Sequence, residues 1–438
     1  MPGILKTWPL WPEFTKQADA DVYSQEPSFL RAKKEIIEQY GKDAICQSWL
    51  KTCQALESVT QELEQNGADM IPAFEASKVV NEGFTESERE RIKNIGCFIV
   101  RQVVPEDEAR HQYAKFQEYL SANQDDVTGW PADAPSMYRL YDSPTQIAMR
   151  THPNHLKVQQ RLNELWHDAS GETSPEPLLY SDGIRDRPPL QQFLGLPPHI
   201  DAGSLSRWAD KTYRNAYHHI FSGNPELHDA YDLKARKDAD QYLFPGVAHS
   251  RVFRAFQGWT ALTPAAPRAG SIMLFPHVRM AVAYVLLRPF FRPPESGDVM
   301  DASKWTFAPD EPWFPGTFLQ QSQLLSRSSH PHLRLQDCLV ASPSMKPGDS
   351  VWWHSDMIHA VDTEHLGEEN AAAVFIPACP TTPINKEYIK TQKEASLAGR
   401  PPPDYVFGAG NLNETLFKGY EGLEGVSEEA KKALGFYS

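Results

Sequence analysis

From residue 250 onward the chain is cut into short apolar runs. "SRVFRAFQGWTALT", "GSIMLFP", "AVAYVLL", "CLVAS", "DSVWWH" and "AAAVFIP" follow one another with turn-forming residues between them. Closely spaced segments of this kind predict the strands of a β-sandwich or barrel.

The preceding sequence has a different period. Residues 26–66 carry apolar side chains three and four apart and end at a glycine, which predicts a helical region. Thr85 and Glu88 form a capping-box pattern that opens a helix, Gly96 ends it, and "CFIVRQVV" reads as a strand. Pro105 followed by acids opens the next helix. "SPTQIAMRTHPNHLKVQQRLNELWHDA" is mostly helical, and "PLLYSDGIRDRPP" is a strand running into a loop. Residues 202–246 are polar, charged and mostly helical, while 289–332, rich in Pro, Ser and Gln, reads as a long surface excursion. The expected layout is one domain over 1–438, with mostly helical support in 1–125 and a β-core in 170–410 that carries a helical insertion at 202–246.

Composition excludes several classes. A formal net charge of -14 disfavours nucleic acid, which a basic face would bind, and polyanionic substrates. No apolar run approaches the roughly 20 residues of a membrane span, and "MPGILKTWPLWPEF" lacks the apolar stretch of a signal peptide. The five cysteines are odd in number, scattered and without a CxxC pair. That pattern predicts a reduced, cytoplasmic protein, neither disulfide-framed nor holding zinc through cysteine.

Two His-x-Asp triplets occur, His199-Ile200-Asp201 and His354-Ser355-Asp356. With 15 histidines in the chain, about one such triplet is expected by chance, so the setting matters more than the triplet. "FLGLPPHIDAGS" places the first after a strand-like run. On extended backbone, residues two apart point the same way, so His199 and Asp201 aim an imidazole and a carboxylate at one point. His359, at the start of a second strand in "KPGDSVWWHSDMIHAVD", is the expected third ligand. Two histidines and one carboxylate make the facial triad that holds Fe(II) and leaves positions open. The competing site is local: His354, Asp356 and His359, although His359 has the opposite strand parity. Under the split arrangement His354 and Asp356 orient ligands or line the pocket. The plainer reading makes all of these hydrogen-bonded structural residues.

The succession "FTESERERIKNIGCFIVRQVVPEDEA", "PPHIDAGSLSRW", "FRAFQGWTALTPAAPRAGSIMLFP", "LLRPFF", "KPGDSVWWHSDMIHAVD", "FIPACPTTPINKEYIKTQ" and "GRPPPDY" resembles the YbiU-like family (domain of unknown function 1479) over roughly residues 80 to 410. That family is similar to the non-haem Fe(II)/2-oxoglutarate-dependent oxygenases of the phytanoyl-CoA hydroxylase type. The resemblance implies a double-stranded β-helix (jelly-roll, cupin-like) core with a helical N-terminal region and a helical insertion. It also implies iron ligation by His199, Asp201 and His359, with Fe(II) and 2-oxoglutarate as cofactors.

Many such oxygenases hold the far carboxylate of 2-oxoglutarate with an arginine shortly after the distal histidine. "AVDTEHLGEENAAAVFIPACP" contains no Arg or Lys, yet a buried dicarboxylate needs a cation. Arg254 is the first candidate, followed by Arg207 and Arg288, since an arginine fork suits a carboxylate. Trp259, Trp352 and Trp353 read as core aromatics whose bulk keeps water from the iron.

The expected activity is therefore oxidation of a small molecule by dioxygen, through hydroxylation, desaturation or ring closure. With Asp201 as a ligand, iron keeps no vacancy for chloride. The resemblance further implies a substrate such as an amino acid or similar small acid of specialised metabolism. The alternatives are an iron oxygenase that does not use 2-oxoglutarate, a zinc- or manganese-dependent jelly-roll isomerase or hydrolase, and a non-catalytic sugar- or protein-binding barrel.

Overall fold

The computed structural model describes residues 5, 7–16, 26–191, 195–246, 249–405 and 410–437. Part of the N-terminal stretch and residues 192–194 of the run ahead of His199 lie outside the described residues.

The helical region 26–66 is two helices, α1 (Pro27–Tyr40) and α2 (Lys42–Asn66). Gly41 divides them at φ 84°, a backbone region that glycine enters without strain. α3 (Glu86–Ile95) opens on the expected capping box, with Thr85 and Glu88 each accepting the other's backbone N–H. Gly96 closes α3 in the left-handed conformation and delivers the chain into a strand. α4 (Glu106–Ala122) carries three acids in its first turn, where they complement the helix dipole. α5 (Pro144–Arg150) and α6 (Pro153–Asn163) each begin with proline just inside a capped start.

Two mainly antiparallel sheets form the centre. In chain order their strands are β1 (Ala73–Glu75), β2 (Cys97–Arg101), β3 (Gly129–Trp130), β4 (Met137–Tyr138), β5 (Ile184–Arg187) and β6 (Leu196–Ile200). They continue with β7 (Phe256–Ala261), β8 (Ile272–Leu274), β9 (Gln323–Leu324), β10 (Val340–Ala341), β11 (Ser350–His354), β12 (His359–Val361) and β13 (Ala371–Phe375). The larger sheet has eight strands in the order β1-β2-β11-β7-β13-β5-β4-β3, and the smaller has five in the order β9-β6-β12-β8-β10. Only β1 and β2 pair in parallel. From β5 to β8 the chain alternates between the two sheets, and it does so again from β10 to β13.

An apolar cluster flanks each sheet. One joins the larger sheet to α3, α4 and α6; the other joins the smaller sheet to α1, α2 and a further helix, α7 (Val278–Leu287). Trp49 of α2 is 1% exposed and stacks on Phe291 with ring centroids 4.5 Å apart.

Three expectations need correction. In "PLLYSDGIRDRPP" the strand is not the leading part, where 178–183 form none, but the later "IRDR" of β5. "AVAYVLL" is not a strand; it lies in α7, where every residue except Arg279 is buried. A helix enclosed on all sides is apolar all round and loses the period that distinguishes it from a buried strand. The segment 289–332 is a surface excursion only in part: residues 295–300 are exposed, but 313–317 are buried. It supplies β9, which pairs with β6 at Gln323↔Ile200 and Leu324↔His199. Gln323, Ser326 and Ser329 are buried and bonded internally, as in Thr317 Oγ1 donating to Gln323 Oε1 at 2.6 Å, so polarity in this part did not signal exposure. The stretch 202–246 holds several helices of four or five residues, among them Ser206–Ala209 and Lys211–Asn215.

Candidate metal centre

β6 and β12 are neighbours, and their register sets His199 directly opposite His359. The two imidazole centroids lie 4.1 Å apart. Asp201 follows the last residue of β6, at the entry to a sharp turn in which Ala202, Gly203 and Ser204 all have positive φ. The backbone carbonyl of Asp201 accepts from the Arg207 guanidinium, which ties the turn to the protein interior. The carboxylate comes within 3.6 Å of His199 Nε2 through Oδ1 and within 3.4 Å of His359 Nε2 through Oδ2. Among the described residues, these three make the one group of at least three side chains positioned to share a metal ion, all ligand atoms lying within 4.8 Å of one another.

Hydrogen bonds fix the identity of the facing atoms. His199 Nδ1 lies 2.7 Å from the Pro197 carbonyl and His359 Nδ1 3.0 Å from the Met357 carbonyl. A carbonyl only accepts, so each Nδ1 carries a proton, and Nε2 is the ring nitrogen that each histidine turns inward. Burial and the neighbouring His359 push the His199 imidazole down to about 4. Burial alone would raise the Asp201 carboxyl, but His199, His359 and Arg254 outweigh it and hold it well below the usual range. A neutral imidazole and an ionised carboxylate are the forms that ligate metal.

The carboxylate is oriented from both sides. Ser322 Oγ donates to Oδ1 at 2.8 Å and Gln257 Nε2 to Oδ2 at 3.0 Å. Gln257 is itself oriented by Trp353, whose Nε1 donates to its Oε1 at 2.6 Å. The Trp353 ring also packs on His359 with centroids 5.2 Å apart. Such supporting hydrogen bonds fix ligand geometry and basicity.

The second His-x-Asp triplet does other work. His354 sits on the opposite face of β11 from Trp353. Its Nε2 bonds the Ala230 carbonyl at 2.9 Å, and its Nδ1 accepts from Asp356 N at 3.0 Å. Neither nitrogen is left for a metal. Asp356 is fully buried and receives Arg236, Tyr217 (2.9 Å) and Arg207 (3.7 Å). Through Arg207 this network reaches the Asp201 carbonyl, so His354 and Asp356 support the turn and do not line the cavity.

The three facing residues open into a cavity of about 860 Å³. Of the candidate cations, Arg254 lines it, 4.0 Å from Asp182. Arg207 does not; it is fully buried against Asp356. Arg288 does not either, since it donates to the Ser329 and Phe291 carbonyls at 2.6 and 2.7 Å between Trp305 and Trp313. Two arginines that the sequence reading passed over, Arg185 and Arg187, line the cavity from β5. The strand "IRDR" places them on one face, with Asp186 turned to the other to meet Tyr113 and Gln117. Nothing in the sequence signalled this, because "IRDR" reads there as the loop end of "PLLYSDGIRDRPP". Trp352 is core as expected, whereas Trp259 and Trp353 also line the cavity.

Taken together, the molecule is a mixed α and β protein centred on two sheets, with a largely buried His-Asp-His group able to hold a metal ion at the head of a large cavity. The chain belongs to the Gig2-like family, whose model matches residues 24–436. It is 30% identical over 387 residues to the uncharacterized protein YbiU of Escherichia coli strain K12, covering 85% of this chain and 87% of that one. Among solved structures it is similar to GlcNAc Inducible Gene 2, GIG2 (DUF1479), from Candida albicans, with a TM-score of 0.83 and 25% identity over 98% of this chain and 90% of that chain. It is also similar to the hypothetical protein JW0805 of Escherichia coli, with a TM-score of 0.78 and 26% identity over 99% of both chains. Membership of this family agrees with the resemblance read from the sequence. Among the described residues no helix is long and apolar enough to cross a membrane, and all five cysteines are unpaired.

Proposed function

We propose that the protein is a non-haem Fe(II)/2-oxoglutarate-dependent oxygenase of a small-molecule substrate, built on a double-stranded β-helix. The observation that carries this reading is the convergence of His199, Asp201 and His359, with both Nε2 atoms and the carboxylate facing one point inside the cavity. Two histidines and one carboxylate are the donor set of the Fe(II) facial triad, which leaves coordination positions for a keto acid and dioxygen. The alternation of the central strands between two antiparallel sheets supports the β-helix reading.

Iron at this site, with 2-oxoglutarate, would supply the oxidising power for hydrogen abstraction from the substrate. The chain's own part is to hold and shield. His199 and His359 offer their Nε2 atoms as nitrogen donors, while Gln257 and Ser322 aim the Asp201 carboxylate. Trp353 covers His359 and excludes water. Arginines in the same cavity, Arg185, Arg187 and Arg254, meet the need of a buried dicarboxylate for positive charge. The remaining wall mixes the apolar Met137, Phe375 and Pro377 with Asp182, which suits a small amphiphilic molecule such as an amino acid or a similar small acid.

The test is oxygen consumption by iron-loaded protein. The expected result is uptake that depends on added 2-oxoglutarate and releases succinate. Uptake independent of 2-oxoglutarate would favour an iron oxygenase of another kind. Anaerobic activity with zinc or manganese would favour an isomerase or hydrolase. Failure to bind any metal tightly, with partner binding intact in His199→Ala, would favour a non-catalytic barrel.

A further inference from the structure

Three arginines line the cavity, but their surroundings differ. Arg187 donates to the carbonyls of Asp362, Thr363 and Gln191 at 2.8, 2.6 and 3.4 Å; it clamps the connection after β12. Arg254 has a carboxylate partner in Asp182, and Asp201 adds to its field. Arg185 forms no ion pair among the described residues, although it is only 7% exposed. Its guanidinium is nevertheless held firmly. Nε donates to the Ala371 carbonyl at 3.3 Å and one Nη to the Gly270 carbonyl at 2.9 Å, and the plane lies 5.3 Å from the Trp259 ring centroid. Burial lowers it to about 10, so it stays charged at neutral pH. A fixed, buried cation without a counter-charge is costly unless an anion completes it.

The register shows where that anion would sit. Arg185 pairs with Ala373 of β13, and Ala373 pairs in turn with Ala261 of β7. Arg187 pairs with Ala371. Thus β13, the strand following the distal histidine, presents only methyl groups beside the two arginines of its neighbour. Gln257, which holds Asp201, lies four residues before Ala261 on the same strand, about 13 Å away along it. The Arg185 guanidinium packs against Trp259, whose strand position lies between them, and its bonds to the Ala371 and Gly270 carbonyls hold it toward the Ala261 end. Arg254 lies on the opposite side of Gln257, three residues before it in the chain.

We propose that Arg185, on the strand next to the one following the distal histidine, binds the far carboxylate of 2-oxoglutarate. Arg254 and Asp182 are thereby left to the substrate, at the other side of the metal group. This assignment rests on the oxygenase reading and replaces Arg254 in the role first expected for it.

The test compares two keto acids on anaerobic Fe(II)-loaded protein: 2-oxoglutarate, and 2-oxobutanoate, which chelates alike but lacks the far carboxylate. Equilibrium dialysis gives both Kd values, and bound iron checks the integrity of each variant. The wild type should prefer 2-oxoglutarate. Arg185→Gln should lose that preference by about 30-fold while binding 2-oxobutanoate and iron as the wild type does, and Arg185→Lys should recover part of it. Arg254→Gln should keep the preference. If Arg254→Gln loses the preference and Arg185→Gln keeps it, the assignment is overturned while the oxygenase reading stands. If Arg185→Gln fails to hold iron, Arg185→Lys carries the same comparison, and a preference undiminished there also overturns the assignment. If the iron-loaded wild type shows no preference at all, the 2-oxoglutarate reading itself fails.

Discussion

Single residues carry the account's sharpest electrostatic consequences. Asp356 receives Arg236 and Arg207 where none of the three is exposed to water. Removing its charge strands both cations, and breaking a buried pair from one side costs about 3–5 kcal/mol. Asp356→Asn should therefore lower stability by that order in chemical denaturation; a change under about 1 kcal/mol would contradict the network. Buried histidines give a pH dependence. Burial pushes His155 and His228 down to about 3 and His354 to about 4, from 6.5. Between those values the unfolded chain binds more protons, so stability rises with pH there and falls as pH drops below 6.5. Each fully shifted histidine contributes up to about 1.4 kcal/mol per pH unit. The thermal midpoint should decline steadily from pH 6.5 to 5, and His155→Gln should flatten the slope; a level profile in the wild type would count against it. The convergence of His199 and Asp201 was legible at this scale because His-x-Asp spacing on extended backbone fixes a shared direction. Arg185 was not legible, since a charged residue on a short strand looks the same whether it faces water or a cavity.

Elements decide whether those residues meet. β6 and β12 bring residues 199 and 359 together by register alone, and the sequence hinted at this through a strand beginning at His359. It hid the role of β9, because Ser, Gln and Pro in 289–332 resemble a solvated loop until their internal hydrogen bonds are known. That strand carries Ser322 to Asp201, and outer hydrogen bonds to metal ligands typically change affinity 10–100-fold. Ser322→Ala should weaken Fe(II) binding by about 10-fold or more with little change in melting temperature; unchanged affinity would remove Ser322 from the site. α7 was misread for a related reason, since complete burial erased its helical period. Its contact with α2 depends on Trp49. Trp49→Ala should cost about 3–5 kcal/mol of stability and leave the metal group intact, as judged by denaturation and metal content together.

At the scale of the molecule, helices cover the outer faces of two sheets and the inner faces enclose the chemistry. The change of period near residue 250 marks this division only in part, since β1 to β6 precede it and α7 follows it, and the pairing of distant strands required the fold. The three candidate ligands come from positions 199, 201 and 359, so a metal ion held by them would pin two strands of the smaller sheet to one another. The second triplet, 354 and 356, lies across β11 and supports the first through Arg207. Fe(II) titration under anaerobic conditions, followed by equilibrium dialysis, therefore tests the central claim most directly. The wild type should bind one equivalent, His199→Ala and His359→Ala should bind none, and folded His354→Ala should still bind one. Iron retained by His199→Ala but lost from His354→Ala would contradict the account.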